Sequence, residues 1–230
     1  MTKRRDLLLG SLALAGVAVG WQAFVRRPRR FDFRAIPGAP GWVMAETGDI
    51  SAPSSTAFLT LGQGDEPPAP LPPDRLEEVL YRGRSAKHIA VFSDFFCPFC
   101  RTLTKRLASR PDIPIVWHEL PLLGPPSVIA ARAAVAADLQ GGYAAFVAAL
   151  SDGGFRPTPT HMGIVATAAG LDGDRLKHDI EGPEVAGRLH ATRRAAEALG
   201  ISGTPAIAAG RRVVLGDISL TELDMLRADT

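Results

Sequence analysis

The protein has 230 residues, of which 46% are hydrophobic, and its 26 basic and 24 acidic residues give a formal net charge of +2. This length fits one domain of ordinary size with a short appendage. Its two cysteines, Cys97 and Cys100, are too few for the disulfide framework of a small secreted scaffold or for a four-cysteine zinc site. The charge is uneven, with +6 on residues 1–30 and −4 on residues 31–230. A mildly acidic body excludes a nucleic-acid-binding domain with a basic face.

Residues 1–30 have the features of a targeting segment. Leu7–Val25 is a run of nineteen uncharged residues flanked by basic ones. A helix of that length just crosses a hydrocarbon core of about 30 Å. The preceding stretch, Lys3–Leu9 (KRRDLLL), resembles a bacterial twin-arginine export signal. We therefore expect export to the periplasm, with the segment either cleaved as a signal or retained as an anchor in the inner membrane.

Residues 31–85 are expected to form an N-terminal extension and linker. Residues 26–40 are rich in arginine, proline and glycine, which is typical of a spacer. Two short apolar pieces, Trp42–Ala45 and Ala57–Leu61, can pair as a β-hairpin. A proline-rich loop follows, and then a short helix that ends at Tyr81.

From residue 86 the pattern is that of an α/β domain, in which strands and helices alternate. The clearest helix follows Pro183, where apolar residues recur at spacings of three and four up to Leu199. In chain order we predict strand 88–92, helix 98–109, strand 113–120, helices 127–139, 143–150, 160–169, 172–180 and 183–199, strands 205–208 and 212–215, and helix 219–228.

The two cysteines lie where a predicted strand is followed by a predicted helix. Cys97 is expected at the N-cap, where the free backbone N–H groups of the first turn and the helix dipole favour the thiolate over the thiol. Cys100, one turn later, falls on the same side and can close a disulfide with Cys97. Because the thiolate is the attacking species in disulfide exchange, we predict a redox-active pair in which Cys97 attacks and Cys100 resolves the mixed disulfide.

A CxxC pair can instead be half of a metal site or a structural disulfide. The other metal ligands would have to come from the five histidines, and His161, His178 and His190 lack the spacing of a helical metal site. A disulfide that closes so short a loop removes little entropy from the unfolded chain. We therefore favour the redox role, with no metal and no bound cofactor.

Three segments together resemble one known family. The segment Val91–Cys100 (VFSDFFCPFC) looks like the active-site segment of the DsbA-like thiol–disulfide oxidoreductases. Residues 120–125 (LPLLGP) are similar to the point where that family enters its helical insertion, and residues 200–206 (GISGTPA) to the loop that carries its cis-proline. The resemblance covers residues 86–228. It implies a thioredoxin-like α/β fold with an inserted all-helical subdomain at about residues 126–182.

The same resemblance implies roles for residues around the cysteine pair. Pro205 would take the cis peptide bond and lie against the pair, and Thr204 would offer its backbone to an extended substrate peptide. Pro98 and Phe99 would tune the redox potential. Strongly oxidising members have histidine at the position of Phe99, whose ring has no hydrogen-bond donor. We therefore expect the pKa of the attacking thiol to be lowered less than in those members.

Polar residues near the motif receive simpler interpretations. Many relatives carry a buried carboxylate six residues before the first cysteine, and here that position is Val91. Asp94 is the nearest acid, and we interpret it as a solvated loop residue or a local hydrogen-bond acceptor in preference to a proton relay. His118 and Glu119 are interpreted as structural or surface groups. Three phenylalanines lie beside the motif, and we expect at least one in the core and the others in an apolar docking patch: Phe95, Phe96 and Phe99.

These features predict an exported enzyme that exchanges disulfides with protein substrates, foremost as a dithiol oxidase. A reductase or disulfide isomerase of the same fold would share the motif, and a chaperone-like binding protein with incidental redox activity is an alternative from another class. The expected partners are unfolded or cysteine-containing exported proteins and a membrane redox partner, either DsbB-like or an electron donor. We expect no nucleic-acid partner, and we expect a monomer.

Overall fold

A computed structural model describes residues 30–52, 71–85, 87–152, 156 and 158–228. The chain divides into two compact units, Met1–Arg30 and Phe31–Thr230, and every element below belongs to the second. The export segment at residues 7–25 and the second piece of the predicted hairpin, residues 57–61, lie outside the described residues. Within the part of the chain that the structure describes, no helix combines the length and the apolar character needed to cross a membrane.

Six strands form one mixed sheet within the described residues. They are β1 (Arg34–Ala35), β2 (Val43–Glu46), β3 (Ile89–Ser93), β4 (Ile115–Glu119), β5 (Ala206–Ala209) and β6 (Arg212–Leu215). The order across the sheet is β1-β2-β6-β5-β3-β4. Strand β3 runs parallel to β4 and antiparallel to β5, while β2 runs parallel to β6. The parallel pair β3 and β4 requires a crossover connection, and a helix supplies it.

Eight α-helices accompany the sheet in the same described ranges. They are α1 (Leu76–Tyr81), α2 (Pro98–Ala108), α3 (Pro125–Leu139), α4 (Tyr143–Asp152), α5 (Pro159–Ala168), α6 (Gly173–Asp179), α7 (Pro183–Ala198) and α8 (Leu220–Ala228). Four of them begin with proline, which suits a first turn because the N–H it lacks would have no partner within the helix. A capping box begins α8: Ser219 N donates to Glu222 Oε2 at 2.7 Å, and Glu222 N donates to Ser219 Oγ at 3.2 Å.

Alternate residues of the central strands face two separate cores. On one face, Phe92 packs in a cluster with residues of α1 and α7, including Leu80 and Ala195. On the other face, Val91 packs in a cluster with residues of α2 and α8, including Leu103. All residues of β3 and β5 are buried, so the strand that leads into the cysteine pair is held from both sides.

The helices α3 to α6 have a hydrophobic core of their own, in which Phe146, Met162 and Leu176 are fully buried. Helix α7 belongs to both regions. Near its start Val185 packs in the helical core, whereas Leu199, just after its end, packs against the sheet. The helical block is therefore joined to the sheet by a shared helix as well as by the loop after β4.

The predicted α/β class is confirmed, and after residue 86 the observed elements agree with the predicted ones to within a few residues. The larger difference comes earlier. The predicted spacer at residues 26–40 contributes strand β1, and β2 is bonded to β1 on one side and to β6 on the other. The β6 partner of β2 lies far along the chain, so local composition does not reveal this pairing. The short helix α1 begins at Leu76, after a 3-10 turn at Pro73–Arg75.

Candidate active site

The cysteine pair lies where strand β3 is followed by helix α2. Cys97 is the N-cap of α2 with extended backbone angles (φ −74°, ψ 118°), and Pro98 occupies the first turn. Cys97 Sγ accepts a hydrogen bond from the backbone N–H of Cys100 at 3.2 Å. This N–H is one of the free donors of the helix terminus, as the sequence predicts. Both cysteines are free thiols and are buried, with 0% of Cys97 and 2% of Cys100 exposed.

The loop before β5 brings Thr204 and Pro205 to the pair. Gly200, which follows α7, has a φ of 68°, a conformation that glycine adopts without strain and that turns the chain into this loop. The Thr204–Pro205 peptide bond is cis. Cys97 Sγ lies 3.3 Å from Thr204 O and donates a hydrogen bond to it when the sulfur is protonated. Thr204, one of the residues suggested by the family resemblance, therefore lies within hydrogen-bonding distance of Cys97 Sγ, and Pro205 follows it in the same loop.

The surroundings push the acidities of the two thiols in opposite directions. The hydrogen bond from the Cys100 side chain lowers the pKa of Cys97 to about 5, with a further contribution from the Ser51 hydroxyl, and burial opposes both. Burial raises the pKa of Cys100 far above its ordinary value, and the interaction with Cys97 raises it further. At neutral pH the reduced pair therefore holds a thiolate on Cys97 and a thiol on Cys100.

Asp94 organises the loops around the pair. It is 1% exposed, and its carboxylate accepts hydrogen bonds from the backbone N–H groups of Phe96, Leu122 and Leu123 and from the hydroxyl of Ser127. The four distances lie between 2.7 and 3.1 Å. These contacts tie the active-site loop to the segment between β4 and α3. The local-acceptor interpretation of Asp94 is confirmed, and the solvated one is wrong, because the folded chain supplies the donors that water would otherwise provide.

His118 is a buried structural residue. Its Nε2 lies 2.9 Å from Leu80 O and its Nδ1 lies 3.1 Å from Thr192 Oγ1. The ring stacks on Phe92 with 5.0 Å between centroids. Burial lowers the pKa of His118 to about 3. The ring is therefore neutral at physiological pH, so that Nε2–H donates to Leu80 and Nδ1 accepts from Thr192.

Glu119, the next residue, is also buried but has fewer donors. Tyr143 donates a hydrogen bond to Glu119 Oε1 at 2.5 Å, while Oε2 is buried with no hydrogen-bond partner in the described part of the chain. Burial raises the pKa of Glu119 to about 8, and the bond from Tyr143 offsets this only in part. The structural interpretation of His118 and Glu119 is confirmed and the surface one is wrong, because both side chains are buried against partners from distant parts of the sequence.

A cleft of about 650 Å³ lies beside the pair and is lined by residues of the active-site loop, α2 and α4. Cys100 and Tyr143 line it, whereas Cys97 does not. Phe95 packs against the helical core, which fulfils the expectation that the core takes at least one of the three phenylalanines. Phe96 is 37% exposed, and Phe99 is half-buried with no polar group to offer the sulfurs.

Metal-binding side chains do not converge in the part of the chain that the structure describes, where no group of three or more His, Cys, Asp or Glu residues is placed to hold an ion. His118 has both ring nitrogens engaged in hydrogen bonds. His161, His178 and His190 lie on three different helices, α5, α6 and α7.

Ser51 is the residue at the site that the sequence analysis missed. Its N–H donates to Thr204 O at 2.8 Å, and Thr204 N donates to Ser51 O at 2.9 Å. Its hydroxyl also contributes to the lowered pKa of Cys97. No local pattern could reveal this contact, since a single bridge between residues far apart in the chain leaves no periodic signal.

These features match a known domain. The family model of the DSBA-like thioredoxin domain matches residues 88–226. The chain belongs to this family. A curated relative, the Na⁺/H⁺ antiporter NhaA 3 of Salinispora tropica, is 28% identical over 173 residues. That match covers 71% of this chain and 26% of the antiporter, so the chain spans about a quarter of the length of this relative.

Solved structures support the same assignment of the DsbA-like fold. A thioredoxin-like oxidoreductase from Silicibacter pomeroyi is 29% identical, with a TM-score of 0.58 over 66% of this chain and 95% of that one. The thiol-disulfide exchange protein alpha-DsbA2 from Wolbachia pipientis is 20% identical, with a TM-score of 0.60 over 68% of this chain and 92% of that one. The expected thioredoxin-like fold with a helical block is confirmed, and the chain has the fold of the thiol–disulfide oxidoreductases.

Proposed function

We propose that this DsbA-like protein is an exported dithiol oxidase that transfers its Cys97–Cys100 disulfide to cysteine pairs in protein substrates. The observation that carries the proposal is the position of Cys97 Sγ at the N-terminus of α2, where it accepts the Cys100 N–H at 3.2 Å, and the donors around this sulfur lower its pKa. A stable thiolate favours the reduced form of the pair over its disulfide. The disulfide is therefore a strong oxidant, because its reduction leads to a stabilised product.

The proposed reaction has two exchanges. A substrate thiolate attacks Cys97 Sγ, the Cys97–Cys100 bond breaks, and Cys100 leaves as a thiolate that takes up a proton. A second substrate thiolate then attacks the substrate sulfur of the mixed disulfide, and Cys97 leaves as a thiolate. The substrate loses two electrons, and the cysteine pair gains them. Cys97 suits the second step because a thiol of low pKa is a good leaving group.

The neighbouring residues have supporting roles in this proposal. Thr204, held at Cys97 by the loop of Pro205, offers its backbone to the substrate peptide. Pro98 at the start of α2 and the half-buried Phe99 set how strongly the thiolate is stabilised. The exposed face of Phe96 belongs to the docking patch for unfolded substrates.

The cellular setting follows from the N-terminal segment. The KRRDLLL stretch and the uncharged run at residues 7–25 support export to the periplasm, where the run is a cleaved signal or an inner-membrane anchor. After each turnover the pair has to be reoxidised, and a DsbB-like membrane protein is the class of partner that this requires. The substrates are unfolded or cysteine-containing exported proteins, and the enzyme acts as a monomer.

The redox state of the pair tests the direction of exchange. Thiol trapping in the source cells should find Cys97 and Cys100 mostly oxidised, and equilibration with glutathione should give a potential well above the roughly −270 mV typical of thioredoxin. A pair that is mostly reduced in the cell, with a potential near that of thioredoxin, would contradict the oxidase and support a reductase or isomerase recycled by an electron donor.

A further inference from the structure

A short stretch after β2 crosses the active site. Residues 48–52, here called the strap, leave the sheet and pass over the loop that carries Thr204. Asp217 N donates to Asp49 O at 3.2 Å, which anchors the start of the strap. The approach is close, since a Cβ on Gly48 would lie 2.2 Å from Asp217 O. Ile50 packs against the core of the sheet.

The strap forms a one-residue antiparallel bridge with the active-site loop. Ser51 and Thr204 exchange both backbone hydrogen bonds, at 2.8 and 2.9 Å. Thr204 lies just before β5, and its N–H and C=O are the groups that an added extended strand would use. Both are already engaged by Ser51 in the structure.

The bridge also places the strap at the attacking sulfur. Cys97 is 0% exposed, although disulfide exchange requires a second sulfur to reach it directly. Its sulfur is within hydrogen-bonding reach of Thr204 O on one side, and the Ser51 side chain interacts with it as well. The cleft beside the pair reaches Cys100 but not Cys97. Exchange at Cys97 therefore needs a movement of the chain, and the strap is the segment bonded to the loop at this point.

Serine differs from cysteine only in the atom at the end of its side chain. A substrate peptide paired with Thr204 in the same register would carry its cysteine where Ser51 now lies. A hydroxyl fits that place but cannot form a disulfide. The strap therefore has the backbone pairing of a substrate without its reactivity.

We propose that the strap is a built-in pseudosubstrate, which occupies the peptide-binding edge at Thr204 and has to leave before a cysteine-containing peptide can pair there. The inference rests on the proposed function, and it adds a competition within the chain for the same backbone groups. It selects extended, unfolded segments, because only such a segment can replace both hydrogen bonds that the strap gives up.

The bridge is weak enough for such a competition. It consists of two backbone hydrogen bonds, whose net stabilisation is modest because water can replace each partner. An incoming peptide restores both bonds, so displacement leaves no buried donor or acceptor unpaired. Short segments of this kind belong to the parts of a protein that open most easily.

Loosening the strap should speed exchange. Ser51→Pro removes the N–H that donates to Thr204, and Ile50→Ala removes the apolar anchor next to it. With a cysteine-containing peptide and the oxidised protein, each variant should react about five-fold faster than wild type, because Ser51→Pro loses roughly one hydrogen bond and Ile50→Ala loses a comparable amount of apolar burial. The reduced variants should also be alkylated about five-fold faster by iodoacetamide at about pH 8, where Cys97 is a thiolate in every variant.

Ile164→Ala is the matched control. It makes the same truncation at an isoleucine of α5 that is 62% exposed and outside the strap, so its peptide and alkylation rates should stay within about two-fold of wild type. If Ser51→Pro and Ile50→Ala are both folded and react no faster than wild type, the strap does not compete with substrate and the inference is overturned. Should Ser51→Pro fail to fold, Ile50→Ala and the cross-link below decide.

A cross-link tests the register. In a Cys100→Ser background, Ser51→Cys should form a disulfide with Cys97 when glutathione disulfide is added as the oxidant, which takes up the two electrons and two protons of the thiols. Ala52→Cys, one residue along an extended segment and thus facing the other way, should form it at least ten-fold more slowly. Equal rates at the two positions would overturn the pseudosubstrate register.

The outcomes for the two proposals can be told apart. Alkylation and cross-linking do not depend on oxidase activity, so they test the strap alone. Suppose that wild type and the loosened variants all fail to oxidise the peptide, while the variants are alkylated faster as expected. The proposed function is then wrong, and the inference about the strap is still supported. If wild type oxidises the peptide and the loosened variants are no faster in either assay, only the strap inference fails.

Discussion

The sulfurs of Cys97 and Cys100 are both buried, but the groups around them differ. Cys97 faces the Cys100 thiol, a helix N–H and the Ser51 hydroxyl, and these donors lower its pKa to about 5. Cys100, three residues later and equally buried, has its pKa raised, above all by burial. Burial alone therefore does not decide the charge of a sulfur here. The balance between burial and the donors aimed at the sulfur does.

The same contrast recurs in two buried carboxyl groups near the pair. Asp94 receives four hydrogen bonds, whereas Glu119 receives one from Tyr143 and leaves Oε2 without a partner among the described residues. Burial then raises the pKa of Glu119 to about 8. The surroundings of Cys97 and Asp94 form what we call the donor-rich side, and those of Cys100 and Glu119 form the donor-poor side.

The largest effect on peptide oxidation should come from replacing each cysteine of the pair with serine in turn. Cys97→Ser removes the attacking group and should lower the rate of peptide oxidation roughly a thousand-fold or more. Cys100→Ser keeps the thiolate side and should instead accumulate mixed disulfides with substrates, visible on non-reducing gels. If the Cys97→Ser protein keeps full activity in cells, the proposed oxidase function is contradicted and the chaperone-like alternative is favoured.

Removing acceptors from the donor-rich side should destabilise the fold. Asp94→Asn keeps one carbonyl oxygen and turns its amide towards N–H groups that need an acceptor, which should cost about 3 kcal/mol of unfolding free energy. Urea denaturation measures it. Asp112→Asn is the matched control at an exposed aspartate and should leave the denaturation midpoint close to that of wild type. Equal midpoints for both variants would mean that Asp94 does not hold the loops together.

On the donor-poor side, Glu119 should make the free energy of unfolding depend on pH. The folded pKa of Glu119, about 8, lies above its ordinary value of 4.5, so the folded state binds the extra proton and stability falls as pH rises through this window. Glu119→Gln removes that loss and should gain on the order of 2 kcal/mol over wild type at about pH 8, but little at about pH 4. Denaturation of the oxidised proteins measures this without titration of the cysteines.

His118 should change stability with pH in the opposite direction to Glu119. Its folded pKa of about 3 lies below the ordinary 6.5, so the stability it contributes is present above pH 6.5 and is lost as pH falls towards 3. Both proteins share this loss. If the stabilities of wild type and Glu119→Gln change in parallel between the two pH values, the account of Glu119 is wrong.

The smallest effect should come from adding one donor. Phe99→His places a ring N–H beside the pair, where the half-buried phenylalanine has none. The pKa of Cys97 should fall further and the disulfide should become more oxidising, as measured by equilibration with glutathione. Phe99→Leu, which adds no donor, is the control. A potential that is unchanged in Phe99→His would show that this position does not reach the sulfur.

The sequence predicted most of the elements and the cysteine pair because their signals are local. The repeat of apolar residues after Pro183 marks α7, and the step from a strand to a proline at position 98 marks the start of α2. Strand β1 was missed because it has only two residues, an arginine and an alanine, which is too short for any periodic pattern.

Contacts made across the fold could not be predicted in the same way. Whether Glu119 is buried depends on Tyr143, and the position of His118 depends on Leu80 and Thr192, all distant in the chain. Ser51 reaches the site only because β2 pairs with β6. Such residues look like ordinary polar positions until the sheet brings their partners together.

The most direct test of the central claim is a titration of the Cys97 thiolate by its ultraviolet absorbance in the reduced protein, with Cys97→Ser as the blank. If donors outweigh burial at this sulfur, the absorbance should rise with a midpoint near pH 5. A midpoint near the ordinary thiol value of about 8.5, or above it, would contradict the account, because burial would then have outweighed the donors.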